Sequence, residues 1–353
     1  EQADKFLFTH RAMLAVDEST TIKSRTASRT KNLIKLSKKA PYRRILTGSP
    51  VTKSPLDLFT QCEFLEDHIL GHSSFWTFQN RYAKMVRRTL GSHSFNQIVG
   101  YQNLSELNGL IEKFSYRVRK EQCLQLPDKV YQKRIVELTD KQKAIYVQMK
   151  KSALAFVETE GMISASTILT QIIRLQQVCS GFAKLDDGKT IYLTNNKLPE
   201  LMSALEETDG KVIIWANFTY DIESISAKLS DIYGSNTVAS YYGATPNDER
   251  QKIVETFQDP QSELRFFVGQ PRTGGFGLTL TQAHTIIYYS NGYDLEVRLQ
   301  SEDRAHRIGQ TNKVTYIDII AEKTIDEKIL VALRNKIDIS SQILAEGYKE
   351  WII

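Results

Sequence analysis

Residues 300–310 read QSEDRAHRIGQ and place two arginines, Arg304 and Arg307, three positions apart. On a helix, this spacing puts both guanidinium groups on one face. Guanidinium groups are planar and permanently charged. Two of them at one place suit the dispersed charge of a phosphoryl group under transfer better than two lysine ammonium groups do. Arginines in this role raise the rate of phosphate cleavage by about 10³ to 10⁵. A solvated charged helix explains the same composition, so the function of this arginine segment depends on the rest of the chain.

Near the other end of the chain, a strand-length apolar run at residues 12–16 is followed at once by two carboxylates, Asp17 and Glu18. Carboxylates at the carboxyl end of a buried parallel strand lie where open α/β sheets bind ligands. One can hold Mg²⁺ through its water shell while the other orients an attacking water. A polar turn after a core strand is the alternative for residues 17–20, DEST, which we term the acidic turn.

Two further stretches have features of a nucleotide or nucleic-acid site. A short strand is predicted in RILTGSP, residues 44–50, and its last five residues form what we term the LTGSP loop. Residues 269–280, GQPRTGGFGLTL, form what we term the glycine loop, where small residues let backbone amides approach phosphate and hydroxyls add further donors. The residues suited to this contact are Gly274, Gly275, Gly277, Thr273 and Thr279.

In this order and spacing, the segments resemble the ATPase core of the Swi/Snf-like branch of superfamily-two helicases. The acidic turn resembles motif II of that family, the LTGSP loop motif III, residues 273–280 of the glycine loop motif V and the arginine segment motif VI. Residues 242–257 resemble the block before motif V, residues 174–179 the helix that leads into the second lobe, and residues 116–141 the linker region. DRAHRIGQ is a specific match by itself, and the resemblance covers nearly the whole chain.

The resemblance implies an α/β fold of RecA-like helicase lobes, with a partial first lobe, a complete second lobe and a helical insertion. Residues 1–62 are expected to be the C-terminal part of the first lobe, and residues 63–195 a helical region that contacts duplex DNA and braces the lobes. Residues 196–322 are expected to form the second lobe, and residues 323–353 a C-terminal helical extension.

Periodicity in the sequence agrees with this division. Strands at 12–16 and 42–46 flank an amphipathic helix at 28–40, and the pattern is mainly helical from 63 to 195. Asp187-Gly188 is typical of a hairpin turn. Strands and helices then alternate, which predicts a doubly wound parallel sheet. The predicted strands are 211–215, 237–241, 265–268, 285–289 and 314–320, and the predicted helices are 218–233 and 248–257.

The roles of individual residues follow from the resemblance. It implies that ATP binds with Mg²⁺ in a cleft between two lobes, that Asp17 holds Mg²⁺ through water, and that Glu18 positions the attacking water. Arg304 and Arg307 are expected to reach the γ-phosphate and complete the catalytic set. Further nucleotide contacts are expected at Gly275, Gly277, Gln300 and Asp303. A coupling role is expected for Thr47, and contacts to the DNA backbone for Thr273 and Thr279.

The chain departs from the family in two ways. No G-x-x-x-x-G-K-[ST] segment occurs, although the family carries this phosphate-binding loop upstream of motif II. We therefore expect the chain to be the downstream part of a longer protein and to be inactive alone. The acidic turn ends in Ser19 and Thr20, where relatives usually carry a small residue and histidine. How the ATP site is coupled to the LTGSP loop is therefore open.

These features favour an ATP-dependent translocase that moves on double-stranded DNA through contacts to backbone phosphates. The alternatives are a strand-separating or strand-annealing helicase and, for this chain alone, a non-catalytic DNA-binding module. The net charge is +5, and two basic clusters are candidate phosphate contacts. The members of these clusters are Lys35, Lys38, Lys39, Arg43 and Arg44, and Arg81, Lys84, Arg87 and Arg88.

Composition bears on the cellular compartment. Three cysteines, at 62, 123 and 179, lack the spacing of a zinc site or of a disulfide framework. No apolar run approaches the roughly 20 residues that span a bilayer. We therefore expect an intracellular protein, cytoplasmic in a bacterial or phage-infected cell or nuclear in a eukaryote.

Overall fold

The structure is a computed structural model that describes residues 2–48, 50–51, 54–90, 93–118, 120–159, 165–185, 188–273 and 277–335. The chain divides into two compact units, residues 1–118 and residues 119–353. The predicted division into four parts remains a prediction. Across the described ranges, no helix is both long and apolar enough to cross a membrane.

The first unit contains a short parallel sheet, an antiparallel hairpin and five helices within its described residues. The strands are β1 (Met13–Val16), β2 (Tyr42–Ile45), β3 (Ala83–Leu90) and β4 (His93–Tyr101). The helices are α1 (Gln2–Thr9), α2 (Ser28–Ser37), α3 (Leu58–Leu65), α4 (Phe75–Tyr82) and α5 (Leu104–Glu112).

The predicted βαβ arrangement of the first unit is confirmed. Strands β1 and β2 pair in parallel, with Met13 opposite Tyr42 and Val16 opposite Ile45, and α2 connects them. A small cluster of Val16, Ile22 and Phe64 packs beneath this sheet. Because parallel strands end at the same edge, the segments after Val16 and Ile45 are neighbours.

The second unit is built on a six-stranded sheet, with a separate two-stranded hairpin. Its strands are β5 (Lys129–Val136), β6 (Phe182–Lys184), β7 (Thr190–Tyr192), β8 (Lys211–Trp215), β9 (Val238–Tyr241), β10 (Phe266–Gly269), β11 (Ala283–Tyr288) and β12 (Val314–Ala321). Its helices are α6 (Lys120–Cys123), α7 (Asp140–Thr159), α8 (Ala165–Cys179), α9 (Lys197–Glu206), α10 (Thr219–Tyr233), α11 (Asn247–Gln258), α12 (Leu295–Glu302) and α13 (Ile325–Arg334).

The large sheet has the order β5-β12-β11-β8-β10-β9, and all its strands are parallel. Alternate residues of β8 belong to different hydrophobic clusters: Val212 and Ile214 pack in one, Ile213 and Trp215 in the other. The sheet is therefore buried on both faces, as expected for parallel strands covered by helices. The five predicted strands are confirmed, and so is the α/β fold of the RecA-like kind.

A topological switch point lies near the centre of this sheet. Strands β8 and β11 are neighbours, but the chain leaves β8 towards β9 on one side and leaves β11 towards β12 on the other. Crevices at the carboxyl ends of two such strands are the usual ligand sites of open α/β sheets. The loops after β8 and β11 therefore lie where a ligand is expected.

The region from residue 63 to residue 195, predicted to be mainly helical, also contains β-strands. The antiparallel pair of β3 and β4 was not predicted, and β5 adds an edge strand to the large sheet. The predicted hairpin around Gly188 is confirmed by the pairing of β6 with β7 and by a φ of 84° at Gly188. In the predicted C-terminal extension, α13 packs onto the core of the second unit through Ile325, Ile329 and Leu333, and residues 336–353 lie outside the described residues.

Candidate functional site

The acidic turn begins where β1 ends. Asp17 is exposed and Glu18 is half-buried, directly after the buried Val16. One carboxylate oxygen of Asp17, Oδ1, accepts a hydrogen bond of 2.9 Å from the backbone N–H of Glu18. Glu18 has φ 49° and ψ 57°, a left-handed conformation that a glutamate rarely adopts. Strained residues of this kind cluster at functional sites, so the turn is more specialised than an ordinary polar turn.

Backbone hydrogen bonds join the acidic turn to the LTGSP loop. The N–H of Leu46 donates to the carbonyl of Val16 at 2.9 Å, and the N–H of Ser19 donates to the carbonyl of Leu46 at 3.1 Å. Thr47, half-buried, follows directly. The structure therefore brings Asp17, Glu18 and Thr47 to one edge of the small sheet, as their sequence positions predict.

The residues of this edge fit a hydrated Mg²⁺ ion. Asp17 presents an exposed carboxylate, and Mg²⁺ typically keeps several waters and uses one or two carboxylates together with substrate phosphates. Within the described part of the chain, no group of three or more histidine, cysteine or acidic side chains is arranged to hold a metal. An ion shared between Asp17 and the phosphates of a nucleotide is compatible with this exposed carboxylate.

In the second unit, the arginine segment has a different backbone from the one predicted. Helix α12 ends at Glu302, and Arg304 and Arg307 lie in the turns that follow, so the prediction of one helical face is wrong. The two guanidiniums nevertheless converge, because Nη1 of each donates to the carbonyl of Leu278, at 3.4 Å from Arg304 and 3.0 Å from Arg307. Arg304 is 8% exposed, and Arg307 is more accessible.

The carbonyl that both arginines share belongs to the glycine loop, and further contacts fix the two segments together. The N–H of Leu280 donates to the carbonyl of Arg304 at 2.9 Å. The buried side-chain amide of Gln310 donates to three backbone carbonyls, those of Thr281, Ala283 and Ala305, at 3.0, 3.0 and 3.2 Å. The described residues of the glycine loop and the arginine segment are thus joined by hydrogen bonds within the second unit.

Other predicted residues of these two segments lie on or near this surface. Thr273 Oγ1 donates to Gln270 Oε1 at 3.2 Å, and Thr279 is half-buried. Gly277 is exposed with φ 75°, which favours glycine, whereas Gly274 and Gly275 lie outside the described residues. Gln300 Nε2 donates to Glu296 Oε1 at 3.4 Å, and the carboxylate of Asp303 lies 3.5 Å from the ammonium group of Lys129. Their nucleotide contacts remain predictions.

Sequence reasoning missed a cavity at the switch point of the large sheet. It has a volume of about 190 Å³ and lies at the carboxyl ends of β8, β10 and β11. Polar side chains from three loops line it, namely Asn217, Gln270, Arg272 and Asn291. The signal was present in the sequence, because each of these residues lies two to four positions after the end of a predicted strand. Isolated amide side chains after strands are common in turns, so their positions in the sequence do not by themselves predict a cavity.

Behind this cavity lies a buried network centred on Arg298. Its guanidinium donates to Glu302, Asn291 and Asp318 at distances between 2.5 and 3.3 Å and stacks 3.4 Å above the ring of Tyr288. Burial alone raises the pKa of a carboxyl, but the positive charges of Arg298 and Arg334 hold the pKa of Asp318 below its ordinary value. The network joins α12, which leads into the arginine segment, to β12 and α13.

The basic clusters proposed as DNA contacts are partly neutralised. Lys38 pairs with Asp67 at 2.8 Å, Lys39 pairs with Asp4 at 2.7 Å, and Arg81 forms an ion pair with Glu106. Lys84 and Arg87 are exposed on β3. Exposed ion pairs are weak and reorganise readily, so these pairs reduce the local positive potential without removing the clusters as candidates.

Comparison with known proteins places these features in a family. The model of the SNF2-related domain matches residues 1–182, and that of the helicase conserved C-terminal domain matches residues 194–309. The SWI/SNF chromatin-remodeling complex subunit snf22 of Schizosaccharomyces pombe is 27% identical over 95% of this chain and 21% of its own length. The putative ATP-dependent helicase/translocase YwqA of Bacillus subtilis is 28% identical over 96% of this chain and 36% of its own length.

Solved structures agree at the level of the fold. The SWI2/SNF2 ATPase core domain of Sulfolobus solfataricus is 25% identical, with a TM-score of 0.51, over 95% of this chain and 69% of that one. The C-terminal part of the Fun30 ATPase domain is 20% identical, with a TM-score of 0.51, over 65% of this chain and 99% of that one. The chain spans only about a fifth to a third of the length of the two relatives above. It belongs to the SNF2-related family of helicase-like ATPases.

Proposed function

We propose that the protein to which this chain belongs is an ATP-dependent translocase that moves on double-stranded DNA. The observation that carries the proposal is the convergence of Arg304 and Arg307 on the carbonyl of Leu278. This contact presents two guanidiniums side by side and fixes them to the glycine loop, the expected DNA-contacting segment. A change at a phosphate bound by the arginines would therefore be transmitted directly to that loop. The Bacillus subtilis relative, described as a putative helicase/translocase, supports the same activity.

The proposed chemistry divides between the two units. Asp17 would hold Mg²⁺ through water, and the ion would neutralise charge on the phosphates of ATP. Glu18, kept in place by its strained backbone, would orient the water that attacks the γ-phosphate. Arg307 uses one of the five donors of a guanidinium on Leu278 and would direct others at the transferred phosphoryl group, with Arg304 as its neighbour.

Contacts to DNA are proposed for the glycine loop and the adjoining cavity. Thr273 and Thr279 would bind backbone phosphates, which carry no sequence information, whereas Gly275 and Gly277 would contact the nucleotide. Arg272 is exposed at the rim of the cavity, where it forms an ion pair with Asp294 at 3.4 Å. Gln300 and Asp303 would support the nucleotide, and Thr47 would relay its state to the DNA contacts.

The test is ATP hydrolysis by the complete natural polypeptide without DNA, with duplex DNA and with single strands, combined with displacement of a triplex-forming strand from duplex DNA. Arg307→Ala is the test variant. Lys252→Ala, which removes an exposed positive charge from α11, is its matched control. We expect duplex DNA to stimulate hydrolysis and to support displacement. We expect Arg307→Ala to lower the hydrolysis rate by about 10³ or more, whereas Lys252→Ala keeps the wild-type rate.

The alternatives predict other outcomes. Stimulation by single strands alone, with unwinding of a forked duplex, would favour a strand-separating helicase, and closure of a melted duplex would favour an annealing one. Binding of DNA without hydrolysis under any condition would overturn the ATPase and leave a non-catalytic DNA-binding module. Equal losses in Arg307→Ala and Lys252→Ala would remove the assigned role of Arg307.

A further inference from the structure

Gln61, on α3, is a buried polar residue that contacts both the acidic turn and the LTGSP loop. Its side chain is fully buried, and so is Ser19, the residue that follows Glu18. Ser19 Oγ donates to Gln61 Oε1 at 2.7 Å. Gln61 Nε2 donates to the carbonyl of Pro50 at 2.7 Å and to the carbonyl of Asp57 at 2.8 Å. One side-chain amide therefore bridges the two segments that follow β1 and β2.

The orientation of this amide is fixed by its partners. The two backbone carbonyls can only accept hydrogen bonds, so Nε2 must face Pro50 and Asp57, and Oε1 must face the Ser19 hydroxyl. Ser19 in turn must donate its only proton to Gln61. Because a buried amide that loses a partner costs free energy, a movement of Ser19 is resisted unless Gln61 and Pro50 move with it.

The neighbouring residue on α3 shows how specific this bridge is. Thr60 Oγ1 donates to the carbonyl of Ile22 at 2.7 Å, and so fixes the far end of the short 3₁₀ helix Ser19–Ile22. The described contact of the Thr60 hydroxyl is confined to this segment, whereas Gln61 reaches both segments. Thr60 is also buried, so it offers a matched comparison in which packing and one hydrogen bond are lost but the bridge remains.

We propose that Gln61 is a positioning residue that couples the acidic turn to the LTGSP loop, in addition to the backbone hydrogen bonds that join Leu46 to Val16 and Ser19. This inference rests on the proposed function, because the coupled quantity is the response of ATP hydrolysis to DNA. When a nucleotide or its metal shifts Asp17 and Glu18, Ser19 carries the displacement to Gln61, and Gln61 carries it to Pro50 and the loop that holds Thr47. Ser19 and Thr20 differ from the residues usual in the family, so the route that couples the ATP site to the LTGSP loop was open. In this proposal the route passes through Gln61, which lies 42 positions after Ser19 in the chain.

The test uses the complete natural polypeptide and three single variants. Gln61→Met keeps the length of the side chain and removes all three hydrogen bonds. Ser19→Ala removes only the bond to Gln61, and leaves the bonds of Gln61 to Pro50 and Asp57. Thr60→Val is the control. A double variant, Ser19→Ala with Gln61→Met, tests whether the two residues act through one interaction.

We expect Gln61→Met to lower kcat in the presence of duplex DNA by roughly tenfold, which corresponds to the loss of one well-formed buried bridge. KM for ATP is expected to stay near the wild-type value, because the bridge does not contact the nucleotide. Ser19→Ala is expected to lower the same kcat, and the double variant to lose no more than Gln61→Met does. Thr60→Val is expected to keep the wild-type response to DNA.

Amide hydrogen exchange provides a readout that does not depend on activity. Peptides that cover residues 17–22 and 46–51 are expected to exchange faster together in Gln61→Met, whereas only the first is expected to change in Thr60→Val. If the wild-type protein does not hydrolyse ATP, the proposed function is wrong, and the exchange pattern alone decides whether Gln61 links the two segments. Equal losses of kcat in Thr60→Val and Gln61→Met, or faster exchange in one segment alone for Gln61→Met, would overturn the proposal. Should Gln61→Met not fold, Ser19→Ala decides through the same measurements.

Discussion

Glu18 has φ 49° and ψ 57°, and a side chain other than glycine in this region costs about 1–2 kcal/mol. The position is also the one at which the family resemblance requires a carboxylate. The proposed function therefore explains why a glutamate occupies a backbone conformation that glycine would adopt more easily. Replacement of a functional residue in a strained conformation is expected to increase the stability of the protein and to decrease its activity.

Glu18→Gly is expected to raise the free energy of unfolding by about 1 kcal/mol, because the left-handed conformation is unstrained for glycine. The same change is expected to abolish ATP hydrolysis, since the carboxylate is lost. Urea unfolding and steady-state hydrolysis, both measured on the complete natural polypeptide, report the two effects. His68→Gly is the control in the same unit, because His68 also has a positive φ, 64°, and is exposed. It should gain stability without losing hydrolysis. A loss of stability in Glu18→Gly would contradict the assignment of strain.

Arg304 and Arg307 share one carbonyl partner but differ in exposure, so their replacement is expected to have different effects. Arg304 is 8% exposed, and Arg304→Ala is expected to lower the free energy of unfolding by about 1–3 kcal/mol as well as the rate of hydrolysis. Arg307→Ala is expected to lower the rate of hydrolysis with little change in stability. Thermal unfolding and kcat, measured side by side, test this difference. Equal destabilisation by the two variants would show that both arginines are structural.

At the scale of elements, the sequence predicted the second unit better than the first. Strand β10 and residues 212–215 of β8 are continuous apolar runs buried on both faces, and such runs are the clearest signal that a sequence carries. Strand β5 escaped because it is an edge strand with mostly exposed side chains, and only its pairing with β12 defines it. The hairpin of β3 and β4 also escaped, since several of its described side chains, among them Lys84 and Phe95, are exposed and its pairing is local.

The candidate site divides in a similar way. The acidic turn was predicted from two adjacent carboxylates after a strand, and the arginine segment from two arginines three positions apart. Both combinations are typical of phosphate chemistry. The backbone of the arginine segment was predicted wrongly, because the spacing of Arg304 and Arg307 fits a helix but α12 ends at Glu302. Gln61 was missed because nothing in the local sequence distinguishes a bridging glutamine from any other helical residue. Contacts between residues distant in sequence, such as Ser19 and Gln61, appear only when the chain is folded.

Helix α10 contains a buried carboxyl group whose pKa is shifted into the physiological range. Asp221 Oδ2 accepts hydrogen bonds from Ser290 Oγ at 2.9 Å and Ser180 Oγ at 3.1 Å. Burial raises the pKa of Asp221 to about 7, and the charge of Lys197 opposes part of this rise. The folded protein therefore binds a proton that the unfolded chain releases near pH 4, and the stabilisation it provides is lost as the pH rises towards 7.

Asp221→Asn is expected to remove this pH dependence, because the amide keeps an acceptor for the two serines and does not ionise. The stability of the variant relative to wild type should rise between pH 5 and pH 7, by up to about 1.4 kcal/mol per pH unit. Urea unfolding at pH 5, 7 and 8.5 measures the difference. Asp231→Asn, at an exposed position of the same helix, is the control and should show no such trend. A difference that stays constant with pH would contradict the shifted pKa of Asp221.

At the scale of the whole molecule, the two units differ in how much hydrophobic core each one holds. The second unit has a six-stranded sheet covered on both faces and a buried ion pair, in which Lys197 contacts Asp326 at 2.5 Å. The first unit has a two-stranded parallel sheet, one hairpin and two smaller clusters within its described residues. Small sheets with little buried surface are marginally stable, whereas larger cores support cooperative folding. The acidic turn therefore belongs to the less self-sufficient of the two units.

A polypeptide of residues 119–353 is therefore expected to fold alone and to unfold in one cooperative transition, whereas residues 1–118 alone are expected to show a weak, broad transition. Thermal unfolding followed by circular dichroism, with the dispersion of amide signals in NMR spectra, distinguishes these outcomes. Ile214→Asp, which places a charge in the central strand β8, is the control for cooperativity and should abolish the transition. Residues 119–353 are also expected to lack ATP hydrolysis, because they contain neither Asp17 and Glu18 nor a phosphate-binding G-x-x-x-x-G-K-[ST] segment. A cooperative first unit, or hydrolysis by the second unit alone, would contradict the division of roles on which the proposed mechanism depends.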